Sequence, residues 1–190
     1  MVKRTPAPPY RGEGPHALWH VSEDRSIRHF APHRAATAAS DEPLVWAIDT
    51  RHLPLYWFPR DCPRCTFWAS PRTTDEDVAR FLDGQRDSRV HVTEDGWHER
   101  VAAARLYLYR MPPERFLEDS DVAGYWVSRE TVDPLDVVEI DGLIGRHAAA
   151  GIVLHGVPNL WPLWEDVIAS SLEFSGIRLR NALPLPAGAS

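Results

Sequence analysis

Short apolar runs, broken by proline, glycine or charged clusters, recur along the chain and mark its elements. In "HALWHV" the apolar residues lead into His20 and Val21, and the chain then turns polar at Ser22, Glu23 and Asp24. That pattern predicts a strand ending at a site. A second strand is expected at "PLVWAID", Pro43 to Asp49. "TRHLPLYWFP" follows, with Leu53, Tyr56 and Trp57 at helical spacing before Pro59 stops the run. "CTFWAS" reads as a third short strand.

"TTDEDVARFLDG" carries the clearest helix pattern. Thr74 followed by Asp77 is a capping signal; Val78, Phe81 and Leu82 form the apolar stripe; Gly84 closes it. Trp97, Val101 and Ala104 suggest another helix, running into the strand "RLYLYRM". "YWVS" and "DVVEI" are further strands. "DGLIGRHAAAG" predicts a short helix ending at Gly151, before the strand "IVLHG". "PLWEDVIASSLEF" predicts a late amphipathic helix with Pro162 in its first turn. Strands and helices mix without regular βα alternation, so the expected class is α+β. One globular domain is expected over residues 16–182, with a flexible arm at 1–15 and a flexible tail at 183–190, both rich in proline and glycine.

Composition bounds the function. At 190 residues, 44% hydrophobic and 25% charged, the chain can bury a sizeable core. A net charge of −6 argues against general nucleic-acid binding and against an anionic-membrane binder. No apolar run is long enough to span a membrane, and no secretory signal is read at the start, so the cytoplasm is the expected location. Lys3 is the only lysine, which with the high alanine content suggests a GC-rich bacterial genome.

Cys62 and Cys65 are the only cysteines. A CxxC pair can be half a zinc site, a redox pair or two plain thiols. No second CxxC accompanies it, and Pro59 and Pro63 crowd the segment, so plain thiols and no metal are expected. "HVTEDGWHER" offers His91, Glu94, His98 and Glu99, but at no recognised metal spacing. No GxSxG, GxxxxGK[ST] or strand-following GxGxxG is present, which removes the usual support for serine-hydrolase, P-loop and Rossmann chemistry.

Three stretches hold candidate site residues. His20 at a strand end, with Ser22 nearby, can bond a hydroxyl or phosphate of a ligand; equally, backbone groups can satisfy it. Tyr56, Trp57 and Phe58 are consecutive, so one helix or turn cannot bury all three, and Arg51, Arg60 and Arg64 lie near in sequence. Aromatic faces with arginine suit a nucleotide; core packing with solvated arginines is the alternative. In "AGYWVSRETVDP", Gly124 allows close backbone approach before Tyr125 and Trp126, and Glu130 is a possible acid or base.

"LWHVSEDRSIRHF" resembles the first-strand motif of the ADP-ribosyltransferase superfamily. The resemblance implies that His20 holds the ribose of NAD, with Ser22 nearby. "LVWAIDTRHLPLYW" is similar to that family's second motif, which makes Tyr56 the tyrosine stacked on nicotinamide, with Trp57 and Arg60 beside the cofactor. "AGYWVSRETVDP" is similar to the third, with Tyr125 where the catalytic glutamate would fall; Glu130 sits too far along to match. The resemblance thus implies a split mixed or antiparallel sheet with flanking helices, NAD as cofactor, and His20, Tyr56 and Tyr125 as catalytic candidates. The whole chain also resembles an uncharacterised bacterial family of unknown function. A nucleotide pocket of NAD or ADP-ribose type is the leading expectation, with ADP-ribosyl transfer as its candidate activity and a protein acceptor or partner left open. A non-enzymatic binding or partner protein on the same fold, or a small-substrate hydrolase or lyase using His20, remain as alternatives.

Overall fold

The computed structural model describes residues 17–34, 42–119 and 124–185. The expected arm at 1–15, and the tail beyond residue 185, lie outside them. Among the described residues there are ten strands and four α-helices. In chain order they are β1 Leu18–Ser22, β2 Val45–Asp49, β3 Arg64–Trp68, α1 Asp75–Phe81, β4 Arg89–Glu94, α2 His98–Ala103, β5 Leu106–Met111, β6 Leu117–Glu118, β7 Tyr125–Ser128, β8 Asp136–Ile140, α3 Leu143–Ala149, β9 Ile152–Val157, α4 Trp161–Ile168 and β10 Glu173–Ile177. The class is α+β, with one antiparallel and one mixed sheet. The chain folds as two compact units: the described residues up to Trp57 with Arg105–Ile140, and Phe58–Ala104 with the described residues from Asp141 onward.

The first unit is a six-stranded antiparallel sheet in the order β6-β7-β2-β1-β5-β8. Side chains alternate across a strand, so cross-strand partners share a face. Leu18 pairs with Met111 and His20 with Tyr109, and Ala47 pairs with Trp126. Leu18, Ala47, Tyr109, Met111 and Trp126 all join one apolar cluster, which also takes Phe30, Phe116 and Val132. The polar stretch after β1 runs back over this cluster. Phe30 exchanges two backbone bonds with Val132, and the Tyr109 hydroxyl donates to the Asp24 carbonyl at 2.6 Å. Burying Phe30 there contributes about 2–3 kcal/mol.

The second unit holds all four α-helices and a four-stranded sheet, β10-β3-β4-β9, in which β4 and β9 run parallel. Two of its elements depart from the sequence expectation. "RVHVTE", to which the sequence pattern assigned no element, is β4, with β3 on one side and β9 on the other. The late helix stops at Ile168 instead of running to Phe174, because Ser170 turns back to accept from the Leu172 amide while its hydroxyl donates to the Val167 carbonyl. Glu173 and Phe174 then pair with Trp68 and Phe67 as part of β10. Elsewhere the local signals hold: the Thr74 side chain accepts from the Asp77 amide at the start of α1, and Gly84 and Gly151 take positive φ after α1 and α3.

The two faces of this second sheet differ in kind. Cys65, Phe67, Val90 and Val92 meet Val78 and Leu82 of the α1 region and Leu160 and Val167 of the α4 region in an apolar core. The opposite pleat carries Arg64, Thr66, His91 and Thr93, all buried. His147 of α3 covers it, also buried. His147 Nδ1 lies 2.7 Å from the Leu143 carbonyl, which can only accept, so Nδ1 carries the proton. Nε2 of neutral His147 must then accept from His91 Nδ1 at 3.1 Å. That leaves His91 Nε2 a buried lone pair with no partner among the described residues.

Burial holds His91 well below the usual histidine range and also lowers His147, against the opposing effect of its bond to the Leu143 carbonyl. For His91 the neighbouring His147, Arg89 and Arg64 add to the effect, and for His147 Arg64 does. Depressed histidines bind protons in the unfolded chain below about pH 6.5 but not in the folded one, so stability falls as pH drops through that range. The expected slope is up to about 1.4 kcal/mol per pH unit for each excluded proton. Urea unfolding between pH 7.5 and pH 5 will show a shallower loss for a His91→Leu/His147→Leu double variant than for the native protein.

Candidate functional site

β1 is paired unevenly. It makes five register pairs with β5, from Leu18↔Met111 to Ser22↔Tyr107, but two with β2, Leu18↔Asp49 and Trp19↔Ile48. Past Trp19 the β1–β2 ladder ends, and His20 bridges the opening: its Nδ1 lies 2.8 Å from the Trp46 carbonyl. A carbonyl only accepts, so Nδ1 donates and Nε2 is the acceptor nitrogen of the ring. The half-buried imidazole also packs on Phe30, centroids 4.6 Å apart. At the far end of the strand the Ser22 hydroxyl oxygen accepts from the Asp24 amide and turns the chain.

Tyr56 closes a single 3-10 turn, Leu53–Tyr56, and its hydroxyl meets that of Tyr125 at 2.6 Å. The Tyr125 ring stands edge-on to Trp46, 6.1 Å between centroids. Sequence had these two tyrosines far apart; the structure joins them. The pleat puts them on the other face of the sheet from His20. Trp126 belongs to the cluster beneath His20, so Tyr125, one residue earlier, projects the opposite way. Trp46 connects the two sets, its carbonyl bonded to His20 and its indole against Tyr125. Trp57 is half-buried beside the turn. Arg60 belongs to the second unit, where it is exposed and its carbonyl accepts from Arg178 Nε.

The residue just before β7, opposite Asp49 and on His20's side of the sheet, is Gly124, not Tyr125. Its φ is +82°, and an added Cβ would lie 2.2 Å from His52 Nδ1. His52 therefore occupies the space where a side chain at 124 would begin. Asp49 holds it there: Oδ1 accepts from both the His52 amide and His52 Nδ1, each at 2.8 Å. Both side chains are nearly buried, 11% and 14% exposed. The Asp49 amide donates to the Gly124 carbonyl, and Asp49 is the register partner of Leu18, two residues before His20. His52 and Asp49 escaped the sequence reading. The available signal was "DTRH", an Asp three residues before a His, the spacing of a side-chain turn.

The remaining candidates separate. His91 pairs with His147 in the second unit, Glu94 accepts from the Leu183 and Leu160 amides, and His98 and Glu99 are exposed. Among the described residues no three His, Cys, Asp or Glu side chains form a metal-binding group. Neither cysteine forms a disulfide. Cys65 sits in the apolar core, while Cys62 lies 3.1 Å from the Thr93 hydroxyl. Of two surface hollows, one of about 530 Å³ is lined by Glu130 beside Arg115 and one of about 320 Å³ lies around Trp161 and Leu183; neither is lined by His20, Ser22, Tyr56, Trp57, Arg60 or Tyr125.

The family of unknown function DUF6886 matches residues 19–182. The chain belongs to that family. The match takes in β1, the Asp49–His52 turn and β7, so the candidate site lies within the DUF6886 region. No curated protein and no solved structure matches the chain. No helix among the described residues is long and apolar enough to cross a membrane.

Two outcomes follow from this geometry. Gly124→Ala will destabilise by about 2 kcal/mol or more, because it adds a collision with His52 to the cost of about 1–2 kcal/mol for a left-handed side-chain residue. Gly151→Ala, with φ +69° and nothing within 4 Å, will cost the backbone share alone, as urea unfolding will show. The thiols will react with an aromatic disulfide reagent at pH 8 only after unfolding, since burial raises Cys62 and pushes Cys65 up to about 12.

Proposed function

We propose that the first unit binds a nucleotide of the NAD or ADP-ribose type, with His20 bonding a ribose hydroxyl. The observation that carries this reading is the opening between β1 and β2 bridged by His20. Adjacent strands that stop pairing after two residues leave peptide groups to be satisfied otherwise, and here an imidazole does so. Its donated Nδ1 proton fixes the ring, so that Nε2 can accept from a hydroxyl. The resemblance of "LWHVSEDRSIRHF" implies such a ribose contact for His20. The hydroxyl-linked Tyr56 and Tyr125, with Trp46, supply aromatic surface on the other face of the sheet.

The third motif departs from the ADP-ribosyltransferase pattern at the position that would carry transfer chemistry. A glutamate stabilises the ribosyl cation through its charge, and such preorganised stabilisation is commonly worth about 10²–10³ in rate. Tyr125 supplies no carboxylate, and Gly124, on His20's pleat, supplies no side chain. Binding therefore outlasts chemistry in this reading, and the alternative of a non-enzymatic binder draws its support from the same two residues. A cytoplasmic location suits both an NAD ligand and two buried reduced thiols.

The test is thermal unfolding with NAD, ADP-ribose and adenine nucleotides up to millimolar concentration. The native protein will be stabilised by about 2.7 kcal/mol at 100 times the dissociation constant. His20→Ala will lose that shift. His20→Asn will lose it too, although its amide can still donate to the Trp46 carbonyl, which separates ligand contact from strand bridging. No shift with any nucleotide overturns the reading.

A further inference from the structure

We propose that the His91–His147 pair is an acid-operated latch: protonation of the imidazoles parts α3 from the four-stranded sheet, while the apolar face of the same sheet stays closed. The device lies wholly within the second unit.

The bonding order of the two rings leaves no place for a further proton. The Leu143 carbonyl takes the Nδ1 proton of His147, and His147 Nε2 accepts from His91 Nδ1 at 3.1 Å. A proton on His147 Nε2 would point at the N–H of His91, setting donor against donor. The site left on His91 is Nε2, which is buried without a hydrogen-bond partner among the described residues. A proton there would be a buried charge with nothing to bond it. The surroundings make this worse. Arg64 of β3 and Arg89 of β4 act on His91, and Arg64 acts on His147 as well. Phe58 packs on both rings, 5.8 and 5.0 Å between centroids, and β9 sets Leu154 opposite His91. On α2, Arg100 lies over the Trp97 ring; on α3, Arg146 turns to the Asp141 carbonyl. Glu94 and His155 belong to the other pleat, where Glu94 accepts from the Leu160 and Leu183 amides. Among the described residues no carboxylate acts on either ring.

Unfolding of the whole unit would gain the same protons, but its two faces do not depend on them equally. α3 has seven residues and brings two buried side chains, Leu143 and His147, to the sheet. A helix this short is not stable by itself and relies on those contacts. Gly142 and Gly151 bracket it at φ +59° and +69°, with open space where a Cβ would lie at either. Glycines in such places let a segment swing with little steric resistance. On the other face, Phe67, Val90 and Val92 pack with Val78, Leu82, Leu160 and Val167, a cluster with no group that titrates in acid. Opening of α3 gives the imidazoles to water, and below about pH 6.5 each then takes a proton. Falling pH therefore favours the open form, by up to about tenfold per pH unit for each proton gained.

The experiment is hydrogen exchange of the folded protein between pH 7.5 and pH 5, read as protection factors so that the intrinsic pH dependence of exchange cancels. The α3 amides are expected to lose about tenfold or more in protection per pH unit below about pH 6.5, while those of α1, α4 and β3 keep theirs. His91→Gln/His147→Gln, whose amides can bond one another and take no proton, should keep α3 protected throughout. His147→Gln alone should show about half the native slope, which serves if the double variant does not fold. Constant α3 protection in the native protein, loss that strikes every element of the unit together, or an unchanged slope in the glutamine variants overturns the latch.

Discussion

The hydrogen bond from the His20 imidazole to the Trp46 carbonyl spans the place where β1 and β2 stop pairing. β1 is held along its whole length by β5, so its direction is not in question. On the other side two residue pairs suffice to set register, and the next ladder acceptor is met by a side chain. A buried acceptor left unmade costs about 1–3 kcal/mol, more than one hydrogen bond nets when formed. The imidazole therefore keeps the strands together and lets them part. Trp46 then sits at the boundary, with its backbone facing His20 and its ring facing Tyr125.

The pleat makes the site two-sided. His20, Gly124 and the Asp49–His52 pair belong with the face that carries Leu18 and Trp126, while Tyr56, Tyr125 and the Trp46 ring belong with the other. Strand alternation leaves no choice in this: a residue one step along β7 must project to the opposite face. Gly124 is what makes the first arrangement fit, since any side chain there would meet His52.

The second unit solves a different problem. One face of its sheet is closed by aliphatic and aromatic packing alone, while the other is closed around Arg64, Thr66, His91, Thr93 and His147. Such a layer stands only if its polar groups find partners. Much of that is done internally: Thr93 donates to the Pro63 carbonyl, Arg64 donates to the Cys62 carbonyl, and the histidines bond one another. The cost is a layer that must stay unprotonated at its imidazoles, which ties this unit's stability to pH.

Local signals were legible where they are complete within a few residues. Thr74, Gly84 and Gly151 mark helix ends whose hydrogen bonds and φ values lie within one turn, and short apolar runs announce the strands β1, β2, β5, β7, β8 and β9. The mixed order of those runs sufficed for the α+β class. β4 was missed because "RVHVTE" buries a histidine, a threonine and a glutamate, which give no strand signal until their distant partners are known. The end of α4 was missed because "ASSLEF" continues a helical pattern, and only pairing with β3 pulls Glu173 and Phe174 into a strand. In the site, sequence alone determined that His20 lies on a strand leading into a polar turn and that Tyr125 starts a strand; the strand was expected to end at His20 but runs on to Ser22 because β5 pairs with it throughout. Which of them share a face, that Gly124 rather than Tyr125 shares His20's pleat, and that Asp49 holds His52 in that space were decided by tertiary structure. Register and pleat direction come from pairing between segments up to about a hundred residues apart, and no local pattern carries that information.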